Sequence, residues 1–176
     1  MVVDPVLAQI VTVSLATLFA AAGVQKLVYR RRFAGVLEAY ALLPSWLIPF
    51  LTIIVPVLEL GVAGGLLITH HKQLVIATAV VLLATYALAM AINIGRGRRD
   101  IDCGCHLSGE PQLINRALVA RNLLLALATC LLLLPTAERT LVWFDFGVII
   151  FGVVMSALLY GAGNHLAATH ERKLAP

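Results

Sequence analysis

Five runs of about twenty apolar residues constrain the fold of this chain more than any other feature. A helix of that length crosses the roughly 30 Å hydrocarbon core of a bilayer. Charged residues make up only 12% of the sequence, whereas a soluble domain carries about a quarter. We therefore predict an all-α integral membrane protein, with a single membrane domain over residues 1–176. The predicted spans are residues 6–28, 46–69, 74–94, 117–134 and 141–160.

The first span is expected to remain in the mature protein. No basic segment precedes it, and the span is longer than the apolar core of a secretory signal. No clear small-residue cleavage site follows it before the second span. The predicted topology therefore starts with a retained membrane helix.

The distribution of lysine and arginine predicts the orientation. If all five spans cross, the loops at residues 29–45 and 95–116 and the C-terminal tail share one side, which we call face A. Of the 13 lysines and arginines, all but Lys72 and Arg139 lie on or next to face A. Basic residues in short loops favour the cytoplasmic side. We therefore predict an inner (cytoplasmic) membrane protein with an external N-terminus and a cytoplasmic face A. The predicted partner of the basic residues is the lipid bilayer, and no nucleic-acid partner is expected.

The loop at residues 29–45 has a helical pattern of its own. Phe33, Val36, Leu37 and Tyr40 recur at helical spacing after three arginines. This pattern predicts an amphipathic helix, which either lies on the membrane surface or covers the end of the bundle.

Several charged or polar residues fall inside the predicted spans. A charge at the bilayer centre costs from about 3 to more than 10 kcal/mol, so such residues usually face a partner or a cavity. Glu59 lies about 20 Å along the second span at 1.5 Å per residue; Lys26, Arg121 and Asn122 lie near face A. In one interpretation Lys26 and Arg121 extend to the interface while Glu59 pairs with a neighbouring donor. In the other, these residues form a polar pocket that handles protons or a polar head group.

Two of the three cysteines lie one residue apart in the charged segment GRGRRDIDCGCHLSGE, residues 95–110. A redox pair needs two sulfur atoms close in space. Cys103 and Cys105 can meet the Cα separation of about 4.4–6.8 Å that a disulfide requires, and Gly104 frees the backbone to close so small a ring. Such a ring is expected to be readily reduced, which suits a transfer site.

Three other interpretations of the cysteine pair remain open. A zinc site could draw on Asp102, Cys103, Cys105 and His106, but zinc ligands usually lie two to four residues apart and need a second pair elsewhere. A structural disulfide across so short a loop would remove little chain entropy. Two unreactive thiols are the third interpretation, which the expected exposed and charged setting disfavours. Three cysteines do not complete a four-cysteine iron–sulfur site, and we predict no metal.

The remaining cysteine and four of the histidines stand outside this segment. Cys130 lies roughly 20 Å into the fourth span at the rise of a helix and is expected to fill apolar space. Isolated histidines without partners at ligand spacing are expected to be interfacial or solvated. These histidines are His70, His71, His165 and His170.

Four segments resemble the MauE family, methylamine utilisation membrane proteins related to the DoxX-like four-helix group. They lie within about residues 6–135: AAGVQKLVYRRRFAGVLEAYALLP, VPVLELGVAGGLLI, DCGCHLSG and RALVARNLLLAL. The resemblance implies a four-helix transmembrane bundle, to which the last predicted span adds a fifth helix.

The resemblance also implies a role in maturing periplasmic methylamine dehydrogenase with a membrane-anchored, thioredoxin-like partner, MauD. The residues of this sequence that match the family's cysteine motif are Asp102, Cys103, Gly104 and Cys105. At His106 and Leu107 we expect an aromatic residue and a glycine in the family, so another exported redox protein is an alternative client. A periplasmic oxidant would place its cysteines outside, whereas the arginines predict a cytoplasmic loop.

These observations predict a membrane thiol–disulfide relay in which Cys103 and Cys105 are the catalytic residues. Supporting residues would shape the loop, tune the thiolate charge or move protons: Asp102, Gly104, His106, Lys26, Glu59, Arg121 and Asn122. One alternative is a non-catalytic membrane assembly or anchor subunit. The other is a bundle protein that binds a lipid or a quinone, and a quinone is the candidate cofactor.

Overall fold

A computed structural model describes residues 2–68, 72–104 and 112–174, with the side chains of residues 72 and 167–174 outside the description. The described residues form six α-helices joined by turns and irregular segments. They are α1 (Pro5–Val28), α2 (Arg30–Tyr40), α3 (Ile48–Ile68), α4 (Lys72–Gly95), α5 (Arg116–Leu131) and α6 (Trp143–Leu174). A short 3₁₀-helix, Ser45–Leu47, leads into α3. The prediction of an all-α membrane protein is confirmed.

Four helices in the described part are long and apolar enough to cross a membrane: α1, α3 with its preceding turn, α4, and α6 over Trp143–Leu166. The fourth predicted span corresponds to α5, which has 16 residues. At 1.5 Å per residue that is about 24 Å, shorter than the hydrocarbon core. The helix ends at Leu131, and turns follow it, with Leu133 and Leu134 N–H donating to the carbonyls of Cys130 and Leu131.

Hydrogen bonds at the two ends of the bundle show which connections lie together. At one end, Val3 N–H donates to the carbonyl of Pro135 at 2.9 Å, so the chain after α5 lies beside the start of α1. At the other end, Arg98 donates to the carbonyl of Ala39 at 2.9 Å, which joins the loops of face A. Thus α5 runs from face A to the opposite end of the bundle despite its short length.

The main apolar cluster lies between α1, α3 and α4. Its buried side chains include Leu15, Phe19, Val62, Leu66, Ile76 and Leu83. Gly23 brings α1 close to α3, because a Cβ at this position would lie 2.9 Å from Cγ of Leu60 and 3.0 Å from the carbonyl oxygen of Pro56.

Helix α6 packs on the outside of this core and leaves much of its apolar surface exposed. At its contact with α1, a Cβ on Gly152 would lie 2.6 Å from Cδ1 of Ile10. Its outward side chains include Trp143, Phe144, Phe151 and Leu159. In a multi-pass membrane protein, apolar side chains on such a surface face lipid.

Helix α2 covers the face-A end of the bundle. Phe33, Val36 and Tyr40 are buried along one side of the helix, as the helical spacing predicts. Val36 and Tyr40 pack on Met90 and Ile114 in a second apolar cluster. The amphipathic helix is therefore confirmed, and its buried side favours a role as a cover over the bundle end.

Candidate functional site

Asp102 organises the loop that carries Cys103. Its Oδ1 accepts hydrogen bonds from the N–H of Gly104 at 3.1 Å and of Gln112 at 3.4 Å. Its Oδ2 forms an ion pair with Arg32 of α2 at 3.2 Å. Aspartate favours this geometry because its short side chain reaches backbone donors two residues further along the chain. The loop is thus fixed to α2.

The backbone on either side of Cys103 is paired with the chain that enters α5. Cys103 N–H donates to the carbonyl of Gln112 at 2.8 Å, and Ile114 N–H donates to that of Ile101 at 2.9 Å. Gly104 follows with φ +72°, a left-handed conformation that costs little for glycine alone. Glycine is therefore favoured at this position of the loop, and closure of the Cys103–Cys105 ring stays a prediction. Cys105 and His106 lie outside the described residues.

Cys103 is buried, with 7% of its surface exposed. It packs with Val36, Tyr40 and Ile114 in the apolar cluster under α2. Its Sγ donates to Oε1 of Gln112 at 3.8 Å. The expectation of an exposed, charged setting is therefore wrong for Cys103, because α2 covers the loop.

Lys26 and Glu59 form an ion pair inside the bundle, at 3% and 1% side-chain exposure. Tyr86 of α4 also donates to Oε1 of Glu59, at 2.8 Å. The ammonium group of Lys26 lies 5.6 Å from the ring centroid of Phe33 and 5.0 Å from that of Tyr86. Glu59 thus has the predicted neighbouring donor, but Lys26 does not extend to the interface as expected. Its charge is satisfied by Glu59 and two aromatic faces.

Arg121 turns towards α6. Its Nη1 donates to Oδ1 of Asn164, and its guanidinium carbon lies 4.9 Å from the ring centroid of Tyr160. Its buried Nε has no hydrogen-bond partner among the described residues. The neighbouring Asn122 is buried and donates to the carbonyl of Leu118 at 2.9 Å.

A cavity of about 30 Å³ separates Glu59 from Arg121. Within the described structure, Glu59 Oε2 is buried without a hydrogen-bond partner, like Arg121 Nε. Since a water molecule needs roughly 10–15 Å³ of such volume, the cavity has room for about two waters but not for a quinone ring. The cavity is lined by Leu18, Phe19, Ala22, Gln25, Glu59, Leu83, Tyr86, Arg121, Asn122, Leu125 and Tyr160.

Gln112 connects the thiol to this polar group. While its Oε1 accepts from Cys103, its Nε2 donates to the backbone carbonyl of Asn164 at 3.1 Å. Asn164 in turn accepts from Arg121, which lines the cavity. A continuous chain of polar contacts therefore leads from the thiol to the edge of the cavity.

Four residues of this site were missed by the sequence analysis: Tyr86, Gln112, Tyr160 and Asn164. Tyr86 has a polar tip inside a predicted span, and that signal could have indicated it. Tyr160 and Asn164 lie at or beyond the predicted end of the last span, where a polar group carries no cost. Nothing in the sequence distinguishes Gln112 from other loop residues.

Comparison with known proteins identifies the family of this chain. A family model described as "Methylamine utilisation protein MauE" matches residues 4–135. The chain belongs to the MauE family. It is 38% identical over 163 residues to a protein of Methylorubrum extorquens named "Methylamine utilization protein MauE", covering 90% of this chain and 87% of the relative. A protein of the same name from Paracoccus denitrificans is 38% identical over 123 residues, which is 70% of this chain and 66% of that protein. No solved structure matches.

The MauE match contains most of the site but not all of it. Cys103, Gln112, Glu59 and Arg121 lie within the matched residues. Asn164, which receives hydrogen bonds from both Gln112 and Arg121, comes from α6 beyond the match. A residue outside the family-model match thus completes the polar chain next to the thiol.

Proposed function

We propose that this MauE-family protein is a membrane thiol–disulfide relay in methylamine utilisation, with Cys103 and Cys105 as the redox pair. The observation that carries the proposal is the setting of Cys103, whose thiol and backbone are both held by Gln112. Redox exchange requires a sulfur atom in a defined position, since attack occurs on one particular sulfur of the partner disulfide. The names of the relatives support the metabolic context.

The chemistry would be an exchange with a thioredoxin-like partner of the MauD type. One cysteine thiolate attacks the partner disulfide and forms a mixed disulfide, and the partner thiolate that leaves takes up a proton. The second cysteine then attacks the first, which closes the Cys103–Cys105 disulfide and releases the partner's second thiol. Two electrons and two protons pass to the partner, and the reverse sequence oxidises it. The client would be an exported redox protein such as methylamine dehydrogenase.

The fixed loop suits such an exchange. Gly104 has the left-handed backbone that a three-residue ring can use. Asp102 ties this backbone to α2 through Arg32. Both contacts hold the position of Cys103 without occupying its sulfur, so the sulfur could change its bonding while the surrounding loop stays in place.

Trapping of the mixed disulfide tests the proposal. We expect either Cys103→Ser or Cys105→Ser to accumulate a covalent adduct with a thioredoxin-like protein in cells that grow on another carbon source and are exposed to methylamine. The adduct should disappear on reduction and in the double variant. Cys130→Ser is the matched control and should behave as wild type, because Cys130 lies on α5 outside the loop. Absence of an adduct in both single variants, together with normal growth on methylamine, would contradict the relay.

Burial of Cys103 favours one other function, a non-catalytic assembly or anchor subunit. Buried cysteines commonly serve as small apolar residues, and α2 covers Cys103. In that case the Cys103→Ser/Cys105→Ser double variant would keep full function, and a variant that exposes the loop would lose it. A quinone-binding function has less support, because the cavity beside Glu59 is too small for the ring.

A further inference from the structure

A second and larger pocket lies on the other side of α2, between that helix and the start of α3. Its volume is about 390 Å³. Ala34 and Glu38 of α2 form one wall, and the opposite wall comes from the start of α3 and the turn before it. The pocket opens on face A at the level where the apolar span begins. None of its residues belongs to the thiol site or to the cavity beside Glu59.

Two arginines supply the charge of this pocket. Among the described residues, Arg30 contacts neutral oxygens: its Nε lies 3.1 Å from Oγ1 of Thr52 and its Nη2 3.5 Å from the carbonyl oxygen of Pro49. Arg31 is exposed and forms no ion pair with any described residue. Because Thr52 is buried, it fixes one guanidinium group before any ligand arrives.

The surroundings of the pocket indicate a membrane ligand. Trp46 and Phe50 beside it are 67% and 60% exposed, and aromatic side chains at such positions lie at the membrane–water interface. A ligand that uses both surfaces has an anionic head and an apolar tail. Glu38 on the pocket wall disfavours a bare anion but can accept a hydrogen bond from a hydroxyl group beside the anion.

We propose that this pocket binds the head group of an anionic phospholipid, with the phosphate on Arg30 and Arg31 and a hydroxyl donor on Glu38. A phosphoglycerol head group has this chemistry, since guanidinium groups bind phosphate strongly through charge-assisted hydrogen bonds. The site shares no lining residue with the thiol site, so it can be tested separately from the relay.

The position of the site gives it a consequence for the thiol loop. Arg30, Ala34 and Glu38 recur every four residues and so form one side of α2, while Val36 and Tyr40 pack over Cys103 on another. A lipid bound to the first side holds α2 against the bundle. The bound lipid therefore keeps α2 in place over Cys103.

Native mass spectrometry of the full chain, released from bilayers of mixed phosphatidylglycerol and phosphatidylcholine, tests this site. We expect preferential retention of phosphatidylglycerol, and about a tenfold loss in Arg31→Gln, since a hydrogen bond to a charged group contributes at least that factor. Arg31→Lys should retain most of the binding. Arg99→Gln is the control, as Arg99 is also exposed on face A but lies outside the pocket.

The alternatives give different results. Equal retention of phosphatidylcholine would overturn the preference for an anionic lipid, and displacement by inorganic phosphate at the same concentration would indicate a phosphate site instead. Hydrogen exchange supplies a second measurement: phosphatidylglycerol should slow exchange of the α2 amides in the wild type but not in Arg31→Gln. Equal retention or exchange in wild type and Arg31→Gln would overturn the proposal.

Discussion

Breaking the buried Lys26–Glu59 pair should destabilise the bundle strongly. Lys26→Met removes the cation and leaves Glu59, which is 1% exposed, with the hydroxyl of Tyr86 as its one hydrogen-bond donor among the described residues. Removing one partner of a buried ion pair costs about 3–5 kcal/mol, whereas replacing both by apolar residues of similar volume is often neutral or stabilising. Tyr86→Phe removes one hydrogen bond to a charged group, for which we expect about 1.5 kcal/mol.

Unfolding in mixed micelles of dodecyl maltoside and sodium dodecyl sulfate measures these changes. We expect Lys26→Met to lose about 3–5 kcal/mol of unfolding free energy and Lys26→Met/Glu59→Leu to recover most of that loss. The pattern distinguishes an uncompensated charge from lost packing, since the double variant restores only charge balance. A loss of less than about 1 kcal/mol in the single variant, the range of an exposed pair, would refute the reasoning.

Three further predictions concern the loop, helix packing and orientation. Gly104→Ala should cost about 1–2 kcal/mol because its φ is +72°, and should slow thiol exchange in the trapping assay. Gly23→Ala should cost about 1–3 kcal/mol in the same micelles by overpacking the α1–α3 contact, whereas Gly61→Ala, with open space around its Cβ, should be neutral or stabilising. In a cysteine-free background, a membrane-impermeant thiol reagent added to intact cells should label Glu138→Cys and not Arg99→Cys; the reverse pattern would place face A outside.

The helices could be predicted because the bilayer sets the length of an apolar span, and the sequence contains five such runs. Their ends were harder to predict. The apolar leucines continue beyond Leu131, but Pro135 disfavours helical backbone in the residue before it, and the chain turns there. Helix α6, in contrast, continues beyond the predicted apolar span to Leu174, because a loss of hydrophobicity does not by itself end a helix.

Some residues of the polar site could be predicted, because a polar side chain is costly inside a membrane span. Glu59, Arg121 and Asn122 stand out because a polar group in a span needs a partner or a cavity. Their partners depend on the register between helices, which a sequence pattern does not contain. Lys26, in the last turn of α1, fits an interfacial position equally well by spacing, and the approach of α3 at Gly23 brings it to Glu59.

The contacts of Cys103 could not be predicted because they join segments that are distant in the sequence. Its burial depends on α2, and its link to Arg121 depends on Asn164 of α6. A polar residue in a loop or tail is expected to remain hydrated, so the sequence does not mark it as a residue that needs a partner. Gln112 and Asn164 therefore could not be recognised as site residues.

The relay depends on Cys103 and Cys105 acting as one redox couple, and a redox titration measures this directly. The protein in nanodiscs would be equilibrated with glutathione buffers, alkylated, and digested for mass spectrometry, with Cys130 as the internal reference. We predict that Cys103 and Cys105 lose alkylation together in a single two-electron transition, with a tenfold change in the ratio of reduced to oxidised protein per roughly 30 mV. Alkylation of both cysteines in every buffer, or loss at one cysteine alone, would contradict the relay.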